Sequence, residues 1–255
     1  MRFGRLPHDP AEVARVPSLA SHAFAASIPP LTLDRSAIGF HPGLYHNDVF
    51  PVCTAAGIAN SAGLVAAIAG YGLIIDVHRV IDFYARIAGI DASDAALTAS
   101  DGVLMTSVIR QQTLTGFDVG TQTALVGLAG TLPVGNRSLL ALAMARLGHA
   151  YVGVTIRERD MDVRPAVWDV VTGRDDGDVI ARHAMVLCDY TGLGDADTVR
   201  AATWGDWQPV TWAWLKERLD EAYGFVWRQL TSAGRHDPAV DPDVLAAQLK
   251  AWSIG

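Results

Sequence analysis

Between Asp48 and Asp76 the chain carries no acidic or basic residue, and the interval from Val49 to Ile75 is mostly apolar. A run of that length has two homes: a bilayer, or the inside of a protein where a helix is buried on all faces. Pro51, Thr54, Asn60, Ser61 and glycines at 57, 63, 70 and 72 weaken its centre, and no basic cluster flanks it. That pattern argues against the membrane. The run instead predicts a small-residue helix from about Cys53 to Ala69, around which the rest of the domain packs.

The chain has the material for such packing. Its 255 residues are 50% hydrophobic and 18% charged, which supports a full core and is too apolar for a disordered chain. Twenty basic residues (20 Lys+Arg) against 27 acidic ones give a net charge of −7 with no Lys/Arg cluster, so nucleic acid is not an expected partner. Cys53 and Cys188, the two cysteines, make neither a disulfide framework nor a four-cysteine zinc site. His41 and His46 share a loop with no third ligand nearby and read as ordinary loop histidines. No metal, cofactor or membrane is expected, and the first twenty residues lack the apolar block of a secretory signal.

Residues 1–46 are rich in breakers, with Pro29-Pro30 and His41-Pro42, and read as an N-terminal arm that wraps a domain. The domain itself is expected over 47–230. After the central helix, helical spacing recurs at Asp76 to Ala88, Val103 to Gln112 and Ser138 to Leu147, the last with Asn136 as N-cap and Gly148 as stop. The pattern then changes to strands: His149 to Ile156, Val179 to Tyr190 and Thr198 to Trp204. Trp212 to Leu230 reads as an amphipathic helix. Residues 231–255 read as a Pro-marked C-terminal linker and a short closing helix. Helices first and sheet second is an α+β arrangement. The C-terminal tryptophans (Trp204, Trp207, Trp212, Trp214, Trp227) read as core.

No G-x-S-x-G elbow, Walker loop or dinucleotide fingerprint is present. Cys53 stands at the expected N-terminus of the long helix, where the dipole and free backbone N–H groups favour a thiolate; alone, it also reads as a buried structural cysteine. Cys188, inside an apolar strand, reads as a small core residue. His183 lies mid-strand among Ala181, Ala184, Met185 and Val186, where a core histidine is the ordinary occupant. Thiol catalysis, however, needs an imidazole brought from a distant segment, and a helix-capping cysteine followed much later by a strand histidine supplies that order.

Along most of its length the chain resembles the papain-like cysteine peptidases. Asn47 stands just before Cys53, where that family places an oxyanion-binding side-chain amide. ALAMARLGHAYVGVTI is similar to the family's helix leading into a "GPVSVAI" strand, ARHAMVLCDY to "HAVLAVGY", and AATWGDW to "KNSWG". The likeness is closer to papain-fold proteins encoded by phages and prophages. It rests on Asn47-Asp48, Cys53-Thr54, FYARIAGIDASD, Asp101-Gly102, Trp168, RHAMVLCDY, Thr203-Trp204-Gly205 and VTWAWLKERLDEAY, in that order.

The resemblance implies an α+β fold with a helical half led by Cys53 and an antiparallel β half carrying His183. It implies Cys53 as nucleophile, His183 as general base and Asn47 as oxyanion donor, acting on peptide or isopeptide bonds. Three positions depart from the family. Ala202 stands where an Asn would orient the histidine, leaving Thr203 or Asp206 as substitutes. Phe50-Pro51-Val52 replaces the usual residues before the cysteine, and Asn47 replaces Gln. These departures keep a second reading open: a catalytically inactive structural component of a phage particle, using the fold as a scaffold for protein contacts. The expected partner is protein, either a peptide substrate or the virion, with the chain particle-bound or homo-oligomeric. The expected location is the bacterial host cytoplasm during assembly, or the virion.

Overall fold

The computed structural model describes residues 3–22, 26–120, 124–171, 173–231 and 242–254. The uncharged run forms the central helix α2 (Cys53–Ile68), after a short α1 (Pro10–Arg15) in the arm. From Cys53 to Ala66 every residue of α2 is buried. Small side chains permit this: Gly57 packs against the Tyr151 ring and Gly63 against Phe40, in space that a Cβ would fill. Among the described residues no helix is long and apolar enough to cross a membrane.

Around α2 lie α3 (Val77–Ala88), α4 (Asp94–Ala99) and α5 (Met105–Thr115). The Asp76 carboxylate caps α3 by accepting from the His78 N–H, a contribution of about 1 kcal/mol, and left-handed Gly89 ends it. The helix expected from Val103 begins instead at Met105, because Val103 is held extended by backbone hydrogen bonds with Gly4 and Leu6.

The chain then builds β1 (Gly127–Thr131), α6 (Arg137–Leu147), β2 (Ala150–Arg157), α7 (Glu158–Asp162), β3 (Val179–Tyr190), β4 (Thr198–Thr203), β5 (Asp206–Thr211), α8 (Trp212–Arg218), β6 (Leu219–Trp227), α9 (Arg228–Thr231) and α10 (Pro242–Ile254). The six strands form one antiparallel sheet in the order β1-β6-β2-β3-β4-β5. The fold is α+β, as the sequence pattern predicts. Trp204, Trp212, Trp214 and Trp227 are buried in its core, and Trp207 packs against the core while partly buried.

One expectation is overturned. Trp212 to Leu230 is not a single helix: α8 stops at Arg218 and the chain continues as β6, an interior strand between β1 and β2. From Glu221 to Trp227 every residue of β6 is buried, so the polar–apolar alternation of a surface strand is absent. The linker expected between the domain and the closing helix falls largely on 232–241, outside the described residues. The closing helix is α10, whose Leu245, Leu249 and Trp252 are buried.

The N-terminal arm is woven into this body. Leu33 pairs with Tyr190, and the Arg35 guanidinium donates to the carbonyls of Gly148 and Cys188. Gly43 exchanges two hydrogen bonds with the Asn60 carboxamide. The start of the arm enters the seam between the helical half and the sheet.

Candidate active site

Cys53 is the first residue of α2. Its predecessor Val52 gives no side-chain cap, so the helix opens with backbone N–H groups that no side chain claims. Across the seam stands β3, whose His183 is fully buried. Helix α2 packs against β3, and the Ala184 backbone, beside His183, is among the groups that favour the charged form of Cys53. Cys53 and His183 thus stand on packed elements, and adjacent residues of the N-terminal segment touch each of them: Gly4 the sulfur and Phe3 the imidazole.

The imidazole is fixed on two sides. His183 Nε2 lies 2.6 Å from Thr203 Oγ1. The ring stacks on Trp204, with centroids 4.0 Å apart and planes 14° from parallel. Trp204 has a left-handed φ of 46°, uncommon for a bulky residue, and carries the Arg164 guanidinium 5.0 Å from its ring centroid. His183 Nδ1 is buried without a hydrogen-bond partner. Thr203, rather than Ala202 or Asp206, is the residue that touches the imidazole. Asp206 is exposed and accepts from the Trp207 N–H. Asn47 is buried in the turn before α2 and its Oδ1 has no partner.

The seam is not open. Phe3 sets its ring edge toward His183 and Trp204, at 5.9 and 5.6 Å. Gly4 donates its N–H to Cys53 Sγ at 3.3 Å, and its carbonyl accepts from Val103 N–H at 2.9 Å. Leu6 N–H donates to the Val103 carbonyl. Only glycine fits at position 4, because a Cβ there would lie 1.6 Å from the Pro51 carbonyl oxygen. Arg5, with a fully buried side chain, donates to Glu221 Oε1 and Asp220 Oδ2, each at 2.6 Å, and to the Val154 carbonyl at 3.2 Å. Nothing in the sequence of residues 3–6 marks them for this place, since every partner is remote along the chain.

This plug sets the electrostatics. Burial pushes the Cys53 thiol up, against the lowering effects of the Ala184 and Gly4 N–H groups, the Arg5 charge and Thr54. Burial, with the Arg5 and Arg164 charges, pushes His183 down to about 3. The thiolate expected at the helix N-terminus is therefore not the form favoured here: desolvation outweighs the helix end, and it favours the neutral form of both the thiol and the imidazole. Cys188, buried in β3, is raised to about 11 by burial and Asp189. Among the described residues no group of three or more His, Cys, Asp or Glu is placed to hold a metal.

A helix-led cysteine set against an antiparallel sheet that carries the histidine defines the papain-like cysteine protease fold, and this chain has it. Among solved structures the chain is similar to xylellain, a cysteine protease from Xylella fastidiosa. The TM-score is 0.63 at 11% identity, over 88% of this chain and 95% of that one. Digestive procathepsin L 3 from the larval midgut of Tenebrio molitor aligns with a TM-score of 0.44 at 13% identity, over 88% of this chain and 76% of that one. No family model and no curated protein matches the sequence.

Proposed function

We propose that the chain is a thiol hydrolase of phage or prophage origin that cleaves peptide or isopeptide bonds. The observation that carries the catalytic reading is the hydrogen bonding around His183: Nε2 engaged by Thr203 and Nδ1 without a partner, on the strand against which the Cys53 helix packs. The Thr203 contact supports a role in orienting the ring and leaves Nδ1 free to take a proton. In the reaction Cys53 gives its proton to His183 Nδ1 and the sulfur attacks the carbonyl carbon. Negative charge forms on the carbonyl oxygen, where the Cys53 N–H and the Asn47 carboxamide serve as donors. His183 returns the proton to the departing amine, leaving a thioester. Water, deprotonated by His183, then displaces the sulfur and restores the thiol.

This chemistry requires the Phe3–Leu6 plug to leave. Gly4→Ala is the variant that removes it, since its Cβ cannot coexist with the Pro51 carbonyl. In Gly4→Ala, iodoacetamide is expected to alkylate Cys53 rapidly at pH 5–6, and His183→Ala in that background is expected to abolish this. Hydrolysis of a mixed peptide library should follow and vanish with Cys53→Ala. A Cys53 that in Gly4→Ala reacts only like an ordinary thiol of pKa near ~8.5 would overturn the proposal.

The complete burial of His183 and near-complete burial of Cys53 favour a second reading, in which the fold is an inactive scaffold in a phage particle. That failed labelling result would select it, and copurification with assembled particles would test it.

A further inference from the structure

Asp220 and Glu221 are consecutive on a strand, where neighbouring side chains ordinarily point to opposite faces. Here both reach one guanidinium. The register of β6 against β2 shifts between Gly153 and Val154, so that Gly153 faces Glu221, Val154 faces Leu219, and Asp220 is the extra residue of a bulge. Bulges re-aim side chains in this way and are built features of a sheet rather than defects. The Val154 carbonyl completes the acceptor set. Next to it in β2, Gly153 leaves the wall bare: a Cβ there would lie 2.9 Å from Arg5 Nη1 and 2.9 Å from the Met105 sulfur. Tyr223 Oη donates to Glu221 Oε2 and fixes that carboxylate. The result is a socket for a planar cation, one residue along the chain from the group that touches Cys53 Sγ.

The present occupant fits incompletely. Arg5 Nε and Asp220 Oδ1 are buried and have no hydrogen-bond partner. Two carboxylates face one guanidinium, with His8 Nδ1 3.9 Å from Asp220. The bulge that re-aims Asp220 and the bare position at Gly153 together shape the site to a guanidinium.

We infer that the socket formed by Asp220, Glu221, the Val154 carbonyl and Gly153 is a guanidinium-binding subsite of the Cys53–His183 centre, filled here by Arg5 and open in the active form to an arginine of a peptide substrate. The inference rests on the hydrolase reading above for the substrate and on the socket alone for the binding. Arginine suits it better than lysine, because two carboxylates and a carbonyl that meet separate nitrogens of one guanidinium match a fork of N–H donors and not a point charge.

The test vacates the socket in the full chain with Arg5→Ala and uses agmatine as the free guanidinium probe. Agmatine is expected to raise the unfolding midpoint of Arg5→Ala saturably, 1,5-diaminopentane to do so at least ten-fold more weakly, and Arg5→Ala/Glu221→Gln to lose the agmatine response. The same variant is then given matched peptides differing only by arginine or norleucine. The arginine peptide is expected to be cleaved with a kcat/KM at least ten-fold higher. Should Arg5→Ala not fold, Arg5→Lys is used, where agmatine is expected to compete the lysine out and accelerate Cys53 alkylation. No response to agmatine, or an equal response to the diamine, overturns the inference even if Cys53-dependent hydrolysis is found. A specific agmatine response with no hydrolysis by any variant upholds the socket and overturns the hydrolase reading.

Discussion

The backbone N–H of Gly4 donates to Cys53 Sγ at 3.3 Å, which places the N-terminal segment of the chain directly on its own cysteine. Burial under that segment, and not the bond itself, pushes a thiol at the head of an uncapped helix up rather than down. The segment that supplies the N–H also excludes the water that a thiolate would need. Wild-type Cys53 is therefore expected to react with iodoacetamide at pH 7 at least ten-fold more slowly than a solvent-exposed cysteine. Mass spectrometry of the native protein checks this, with urea-unfolded protein as the reference. Equal labelling of native and unfolded Cys53 would contradict a closed seam.

Arg5 anchors that segment. Removing it strips the counter-charge from Glu221, whose side chain is 1% exposed, and leaves a buried carboxylate without its cation. Breaking such a pair costs about 3–5 kcal/mol, so Arg5→Ala is expected to lower the urea midpoint substantially at pH 7. Burial already raises the Glu221 carboxyl, and Arg5 is the largest influence holding it down. Without Arg5 it rises further. A carboxyl with a raised folded-state pKa favours the fold below its unfolded value and loses that contribution as pH rises through the folded one. The deficit of Arg5→Ala should therefore shrink as pH falls toward 4.5. Denaturation at pH 7 and pH 5 reads it, and a deficit independent of pH would speak against Glu221 as its source.

Much of this was legible in the sequence, and what was not has physical reasons. The uncharged run announces α2, because a helix without charge on any face can sit only in a core. Val179 to Tyr190 is legible as β3 from its branched and apolar residues. β6 escaped because it is buried on both faces; its remaining signal is Tyr223, Phe225 and Trp227 alternating around Gly224. The plug escaped because Gly4 and Arg5 bond partners 49 and 216 residues away, and no local pattern encodes that. The Thr203 contact could be narrowed to two residues but not chosen, since the choice depends on how the chain turns at the left-handed Trp204.

Thr203 tests the positioning of the imidazole. Thr203→Val keeps the shape and removes the acceptor or donor that His183 Nε2 meets at 2.6 Å. In the Gly4→Ala background it is expected to slow Cys53 alkylation at pH 6 by ten-fold or more while changing stability by only about 1–2 kcal/mol. A loss of stability with unchanged alkylation would make Thr203 a packing residue. Thr203→Ser, which restores a hydroxyl, should recover most of the rate.

A second buried histidine shapes the acid response of the fold. His149 Nε2 lies 2.7 Å from Ser61 Oγ, which also accepts from Trp227 Nε1, and its ring stacks on Phe225. Burial lowers both His149 and His183 to about 3. In the unfolded chain each takes up a proton near pH ~6.5, whereas in the fold neither does until about pH 3. Between those values the unfolded state binds more protons, so stability is full above 6.5 and falls as the solution is acidified, at roughly 1.4 kcal/mol per pH unit for each histidine. Glu221 works in the opposite direction over the part of this range above its ordinary value. His149→Phe keeps the stack on Phe225 and removes one titrating site, so urea midpoints measured from pH 7 to pH 4 should fall about half as steeply as in the wild type. An unchanged slope would mean that the acid sensitivity lies elsewhere than in these two buried imidazoles.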